Sequence, residues 1–162
     1  MLNKLFKKAK LLKIYAPING EIVPLESVPD PVFSQKMMGE GVAIIPNNGN
    51  VSSPVEGEVV QVAPTKHAVG LRAEDGTEVL IHVGLETVEL KGNGFSLNVN
   101  VGDKVSVGDS LMEVDLNYIR ENAENIITPI VITNSQESGK SYEITNEKSA
   151  AAGETIIISS GK

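Results

Sequence analysis

From Ile14 onward the chain alternates between short apolar runs and tight clusters of turn-forming residues. Val-, Ile- and Thr-rich stretches of four to seven residues are separated by Asn19-Gly20, Pro46-Asn47-Asn48-Gly49, Asp75-Gly76, Lys91-Gly92-Asn93-Gly94, Gly102-Asp103, Gly108-Asp109 and Gly153. Many short strands punctuated in this way predict an all-β antiparallel sandwich rather than strands alternating with helices. One segment, Asp115 to Asn122, reads as a helix with Asp115 as its N-cap. It is too short to form a layer. Pro24 to Pro31 reads as an irregular loop.

Two pairs of segments echo each other. Ala16-Pro17-Ile18-Asn19-Gly20-Glu21-Ile22-Val23 resembles Ser53-Pro54-Val55-Glu56-Gly57-Glu58-Val59-Val60, and Gly108-Asp109-Ser110-Leu111-Met112 is matched more faintly by Gly153-Glu154-Thr155-Ile156-Ile157. Two copies are too few for a solenoid. They fit a sandwich whose halves each contribute a related strand–turn–strand unit.

The chain has two histidines, His67 and His82, on either side of Asp75-Gly76. Asp-Gly between apolar runs is a strong hairpin signal. With Asp75 and Gly76 as the two central turn residues, Glu74 faces Thr77, Val69 faces His82 and His67 faces Gly84. The histidines then become diagonal neighbours on one sheet face, with Cα atoms roughly 7–8 Å apart. Thr65 and Leu80 share that face, while Val79, Ile81 and Val83 point into a core. A register slip of one residue would place the two imidazoles on opposite faces.

At 162 residues the chain is one domain by length, with about 70% of the unfolded surface buried. The absence of cysteine removes disulfides, thiolate nucleophiles and Cys-based zinc sites, and favours an intracellular setting. No run approaches the roughly 18 apolar residues of a membrane-spanning helix. The formal charge of −7 argues against a nucleic-acid partner. Met1 to Lys13 nevertheless carries five lysines and no acid, leaving 9 basic and 21 acidic residues in the remainder. Leu2, Leu5, Phe6, Ala9 and Leu12 recur between those lysines at near-helical spacing. Residues 1–13 therefore read as a basic segment, either an amphipathic helix on an anionic membrane surface or a disordered tail, ahead of one β domain over 14–162.

Three stretches stand out: Val28-Pro29-Asp30-Pro31-Val32-Phe33-Ser34-Gln35-Lys36-Met37-Met38-Gly39, Thr65-Lys66-His67-Ala68, and the run from Ile81-His82-Val83-Gly84 through Phe95. All three are similar to the glucose-type IIA components of the bacterial phosphoenolpyruvate:sugar phosphotransferase system. The resemblance covers about Ile14 to Ile158. It implies a barrel-like antiparallel sandwich with a duplicated motif and one or two short helices. It implies a cytoplasmic monomeric phosphocarrier, working at the inner membrane face without a required cofactor, whose membrane contact would fall to residues 1–13. The phosphoryl donor would be the small histidine-phosphorylated protein HPr, and the acceptor the IIB domain of a sugar permease.

Carried over by position, the resemblance makes His82 the phosphoryl acceptor at Nε2 and His67 the imidazole that hydrogen-bonds the phosphate. Thr65 orients His67, and Gly84 leaves room for the phosphate. Val32, Phe33, Met37, Met38, Leu80 and Val88 fall where the family docks its partners, with Asp30 and Glu86 as bordering acids. The family usually has Asp where this chain has Glu86, and Pro31 and Ala63 replace larger apolar residues of enteric members. The chemistry suits imidazole. A ring with an ordinary pKa of about 6.5 is mostly neutral near pH 7, and a second imidazole or an apolar surround disfavours its protonation.

Two other uses of these features are weaker. His67 and His82 supply two ligands for Zn²⁺, but a catalytic zinc site needs a third protein ligand, which would have to come from a partner; the same face also suits a regulatory interaction protein. The segments around Ser53–Val59 and Val101–Asp109 resemble strand motifs of lipoyl and biotinyl domains. The one lysine near a turn between them, Lys91, lies in an unlike context.

Overall fold

The computed structural model describes residues 11–161. Fourteen short strands form antiparallel sheets: β1 (Lys13–Tyr15), β2 (Gly20–Pro24), β3 (Glu40–Pro46), β4 (Asn50–Ser52), β5 (Gly57–Val62), β6 (Ala68–Ala73), β7 (Glu78–His82), β8 (Phe95–Leu97), β9 (Lys104–Val105), β10 (Ser110–Val114), β11 (Thr128–Ile132), β12 (Tyr142–Ile144), β13 (Ser149–Ala150) and β14 (Ile156–Ser160). The helices are short: α1 (Pro31–Ser34) and α2 (Leu116–Asn122), with 3-10 turns at Leu25–Ser27 and Thr87–Leu90. Helix α2 begins where its cap predicts, the Asp115 carboxylate accepting from Tyr118 N–H at 3.1 Å. The expected loop from Pro24 to Pro31 is instead partly helical, because Pro31 opens α1 and Asp30 caps it by accepting from Val32 N–H at 3.0 Å.

An eight-stranded sheet in the order β13-β2-β3-β11-β7-β6-β5-β9 faces two three-stranded sheets, β1-β14-β12 and β4-β10-β8. Ile44, Val69, Leu71, Ile81, Ile130 and Ile132 of the large sheet meet Ile14, Val51, Leu111, Met112 and Ile158 of the small ones in the main core. The opposite face of the large sheet is also covered. Ala43, Ala68, Leu80 and Val131 pack there beneath Leu25, Val28, Phe33, Leu85 and Ile127. A strand buried on both sides should read as a continuous apolar run, and β11, Thr-Pro-Ile-Val-Ile, is buried at all five positions.

The sequence echoes pair with each other in space. Tyr15 N–H donates to Pro54 O and Ser52 N–H to Pro17 O, so the two Pro-containing segments cross. Each then meets its own glycine turn. Gly153 N–H donates to Ala16 O, and Gly108 N–H donates to Ser53 O. A Cβ built on Gly153 would lie 3.7 Å from the Gly108 Cα, so the two glycine turns themselves touch. The terminal strands close the outer edge: Leu12 N–H donates to Ser160 Oγ at 3.0 Å, and Ser160 N–H donates to Leu12 O at 2.9 Å. The β body therefore takes in Leu12 and Lys13, which the sequence pattern assigns to the basic segment. Positions 1–10 of that segment lie outside the described residues.

The hairpin of β6 and β7 differs from the two-residue turn expected at Asp75-Gly76. Ala68 pairs with His82, Val69 with Ile81 and Gly70 with Leu80, one residue away from the predicted register. The loop has three residues, Glu74, Asp75 and Gly76. Ala73 N–H donates to Thr77 O, Gly76 N–H donates to Ala73 O, and Gly76 takes φ +92°. A type I turn followed by a left-handed residue makes such a three-residue hairpin, and Asp75 supports it by accepting from Thr77 N–H at 3.0 Å.

Because no neighbour would touch a Cβ at Gly76, substitution there tests backbone conformation alone. Gly76→Ala is expected to lower stability by about 1 kcal/mol, and Gly76→Asn by less, since Asn tolerates the left-handed region. Urea unfolding checks the order; equal stabilities for the three proteins would refute this loop geometry.

Candidate functional site

The register change should separate the histidines, yet their ring centroids are 4.8 Å apart in an edge-to-face arrangement at 77°. The reason lies at His67, which is not a strand residue. Strand β6 begins at Ala68, and Ala63–His67 form the connection from β5. Ala63 N–H donates to Ala68 O at 3.0 Å across it, and Lys66, the residue before His67, has φ +67°. Alternation governs side chains only within a strand. His67 escapes that rule and turns onto the face of His82, Ala68 and Leu80.

His82 ends β7 and is half-buried. Its Nδ1 lies 2.9 Å from Gly84 O. A carbonyl oxygen can only accept, so Nδ1 carries the proton and the neutral ring presents a lone pair at Nε2. Gly84 can serve as this acceptor because it has φ +76°, and because a Cβ there would come within 2.7 Å of Thr87 Cγ2 and 2.9 Å of Asn125 O. The position a side chain would take at Gly84 is therefore filled by Thr87 and Asn125. Two further bonds pin the turn: Thr87 Oγ1 donates to Val83 O at 2.8 Å, and Leu85 N–H donates to Asn125 O at 2.9 Å.

His67 is 8% exposed. Its Nδ1 lies 2.8 Å from Thr65 Oγ1. A hydroxyl can donate there, and the neutral ring then carries its proton on Nε2. One imidazole thus offers a lone pair at Nε2, and its neighbour can offer an N–H.

The electrostatics keep both rings neutral. Burial lowers the pKa of His82 to about 4, with His67 adding repulsion; the Gly84 carbonyl and the Asp30 carboxylate oppose the shift less strongly. Burial also lowers the pKa of His67, against a smaller opposing contribution from the Thr65 backbone. Asp30 is thus drawn into the site twice, as the cap of α1 and as the carboxylate whose charge reaches His82. Helix α1 in turn carries Phe33, whose ring centroid is 5.1 Å from that of His82.

The expected docking residues divide into two groups. Phe33 at 4% and Leu80 at 7% exposure are buried and belong to the wall and floor of the site. Val32, Met37 and Val88 are exposed large apolar side chains, Met38 is partly buried, and the exposed Glu86 lies beside Val88 in sequence. Thr87, Asn125 and Lys66 escape sequence reasoning. Pro64, a favoured second residue of a turn, was the available signal that His67 sits in a loop. Among the described residues no group of three or more His, Cys, Asp or Glu side chains is placed to hold a metal ion.

Residues 12–138 match the family model for the phosphoenolpyruvate-dependent sugar phosphotransferase system, EIIA 1. The chain is 53% identical over 162 residues to the glucose-specific EIIA component of Staphylococcus epidermidis, covering 98% of this chain and 97% of that protein. It is 52% identical over 145 residues to the corresponding component of Halalkalibacterium halodurans, covering 90% and 83% of the two chains. The solved structure of glucose permease IIA from Mycoplasma capricolum superposes with a TM-score of 0.86 at 39% identity, over 93% of this chain and 96% of that one.

The lowered pKa of His82 has a measurable consequence. An unfolded chain takes up the histidine proton near the ordinary value of 6.5, whereas folded His82 resists it until about pH 4. Between these values the unfolded state binds more protons, so this contribution to stability is present above pH 6.5 and is lost as the pH falls to about 4. It amounts to about 3 kcal/mol. His82→Gln should flatten that part of the pH dependence in urea unfolding, and the His82 ring should titrate near pH 4 by NMR. A ring midpoint at an ordinary 6.5, or unchanged acid sensitivity in the variant, would contradict the site electrostatics.

Proposed function

The chain belongs to the EIIA 1 family of the phosphoenolpyruvate-dependent sugar phosphotransferase system and is one of its phosphocarrier components; we propose that it carries the phosphoryl group on Nε2 of His82. The observation that supports this most is the bond from His82 Nδ1 to Gly84 O. It leaves Nε2 as the free nucleophile, 4.8 Å between ring centroids from a second imidazole able to donate.

In this reading the Nε2 lone pair attacks phosphorus as the bond to the donor's histidine breaks, and the charge on the phosphoryl oxygens is spread in the transition state. Nδ1 keeps its proton throughout, held by Gly84. His67 donates Nε2–H to a phosphoryl oxygen, while Thr65 donates its hydroxyl to His67 Nδ1 and fixes that tautomer. In the return step an incoming nucleophile takes the phosphoryl group from Nε2, and His82 regains its lone pair. Phe33, Ala68 and Leu80 exclude water around the ring, which favours transfer over hydrolysis.

The family implies HPr as donor and the IIB domain of a sugar permease as acceptor. A protein of this kind works in the cytoplasm at the inner membrane face. Val32, Met37, Met38 and Val88 would provide the apolar contact, with Asp30 and Glu86 steering basic partner surfaces. The names of the relatives make a glucose permease the acceptor of choice, and the protein is proposed to act as a monomer without a cofactor. No helix among the described residues is long and apolar enough to cross a membrane.

Incubation with phosphoenolpyruvate, Enzyme I and HPr, followed by mass spectrometry under mildly alkaline conditions, should map one phosphoryl group to His82. His82→Gln should abolish the acid-labile label. His67→Ala should slow transfer roughly tenfold to hundredfold through loss of one charge-assisted hydrogen bond. A label on another residue, or unchanged transfer by the His67 variant, would overturn the assignment.

A further inference from the structure

Five residues, Ala63 to His67, connect β5 and β6, and their geometry differs from that of an ordinary strand end. Lys66 N–H donates to Ala63 O at 2.8 Å, which makes Ala63–Lys66 a β-turn with Pro64 in the position that its fixed φ suits. Lys66 then takes φ +67°, a region in which Cβ crowds the backbone and where bulky or β-branched residues are outliers. His67 follows, and its carbonyl accepts from Val83 N–H at 2.8 Å. Strand alternation would direct the residue opposite Val83 into the main core, beside Val69 and Ile81. The imidazole instead meets His82 on the other face.

The Lys66 side chain takes no part in this arrangement. It is exposed and joins none of the ion pairs among the described residues. Its stem lies over Gly92, where an added Cβ would be 3.7 Å from Lys66 Cδ and 3.9 Å from Cε. Ordinary van der Waals contact is all that is required of it.

On the reading of His82 and His67 as the phosphoryl-transfer pair, we propose that Lys66 is a positioning residue whose left-handed backbone, and not its ammonium group, brings the His67 imidazole across to the ring of His82. The charged side chain is incidental to that role. A residue that enters the left-handed region freely should replace it, and one that avoids the region should separate the pair.

The test combines NMR titration of both imidazoles in the full-length protein with the rate of phosphoryl acceptance from phospho-HPr. The proteins are wild type, Lys66→Val, Lys66→Ala and Lys66→Gly, with His67→Gln as the reference for a lost partner. Lys66→Val should slow acceptance about tenfold or more, since small misplacements of positioned groups are costly. It should also move the His82 midpoint upward from about 4 toward the His67→Gln value, because the repulsion from His67 is relieved. Lys66→Ala should shift both readouts in the same direction but less, which keeps the test available if the valine variant folds poorly. Lys66→Gly should restore wild-type rate and midpoint.

Wild-type behaviour in both Lys66→Val and Lys66→Ala would overturn the proposal. So would a slow Lys66→Gly with unchanged titrations, which would assign the effect to the ammonium group. If the wild-type phosphoryl group maps away from His82, the phosphocarrier reading of this site fails, while the titration series still decides whether Lys66 sets the ring pair.

Discussion

The hydrogen bond between His82 Nδ1 and the Gly84 carbonyl constrains everything else at the site, because it fixes which nitrogen of a half-buried ring is free. Gly84 presents that carbonyl from a left-handed conformation, and a side chain there would meet Thr87 and Asn125. Thr87 is tied to Val83, and Asn125 is tied to Leu85. The tautomer of one imidazole is thus set by backbone geometry two residues away, with support from a loop some forty positions downstream. Such a ring is preorganised with its lone pair at Nε2.

Covering the large sheet on both faces makes this bond matter. The second cluster, with Phe33, Ala68, Leu80 and Leu85, removes water from the side of the sheet that carries the histidines. Burial is the largest influence on both rings, and it acts in one direction, toward the neutral form. The nearby Asp30 carboxylate would by itself favour a charged ring, yet it is outweighed. Helix α1 joins these effects: its cap supplies the carboxylate, its interior supplies Phe33, and Val32 and Met37, within and just beyond it, stay exposed. One short segment therefore desolvates the His82 ring and leaves apolar side chains exposed on its outer side.

Much of this was legible in the residues, and the parts that were not have identifiable causes. The strand-and-turn punctuation gave the antiparallel sandwich, and Asp115 marked the start of α2 where a carboxylate cap was expected. The echo of Ala16–Val23 in Ser53–Val60 corresponds to a real crossing of the two segments. The Asp75-Gly76 signal located the hairpin but not its length, because one left-handed glycine serves a three-residue loop as well as a two-residue one. That ambiguity moved the register by one. The rings still met because Pro64 and Lys66 had taken His67 out of the strand, so two departures from the simple pattern compensated each other. Exposure was the least legible property. Phe33 and Leu80 carry no mark in the sequence that separates a wall from a rim, and nothing in it places Thr87 and Asn125 against Gly84.

The pairing of β1 with β14 sets Leu12 and Ser160 side by side, bonded in both directions. Entry and exit of the chain lie together on the outermost strand edge of a small sheet, whereas the histidines belong to the large sheet's far face. A domain so arranged behaves as a cassette. A splice made at these two strands would leave the face that carries the histidines untouched.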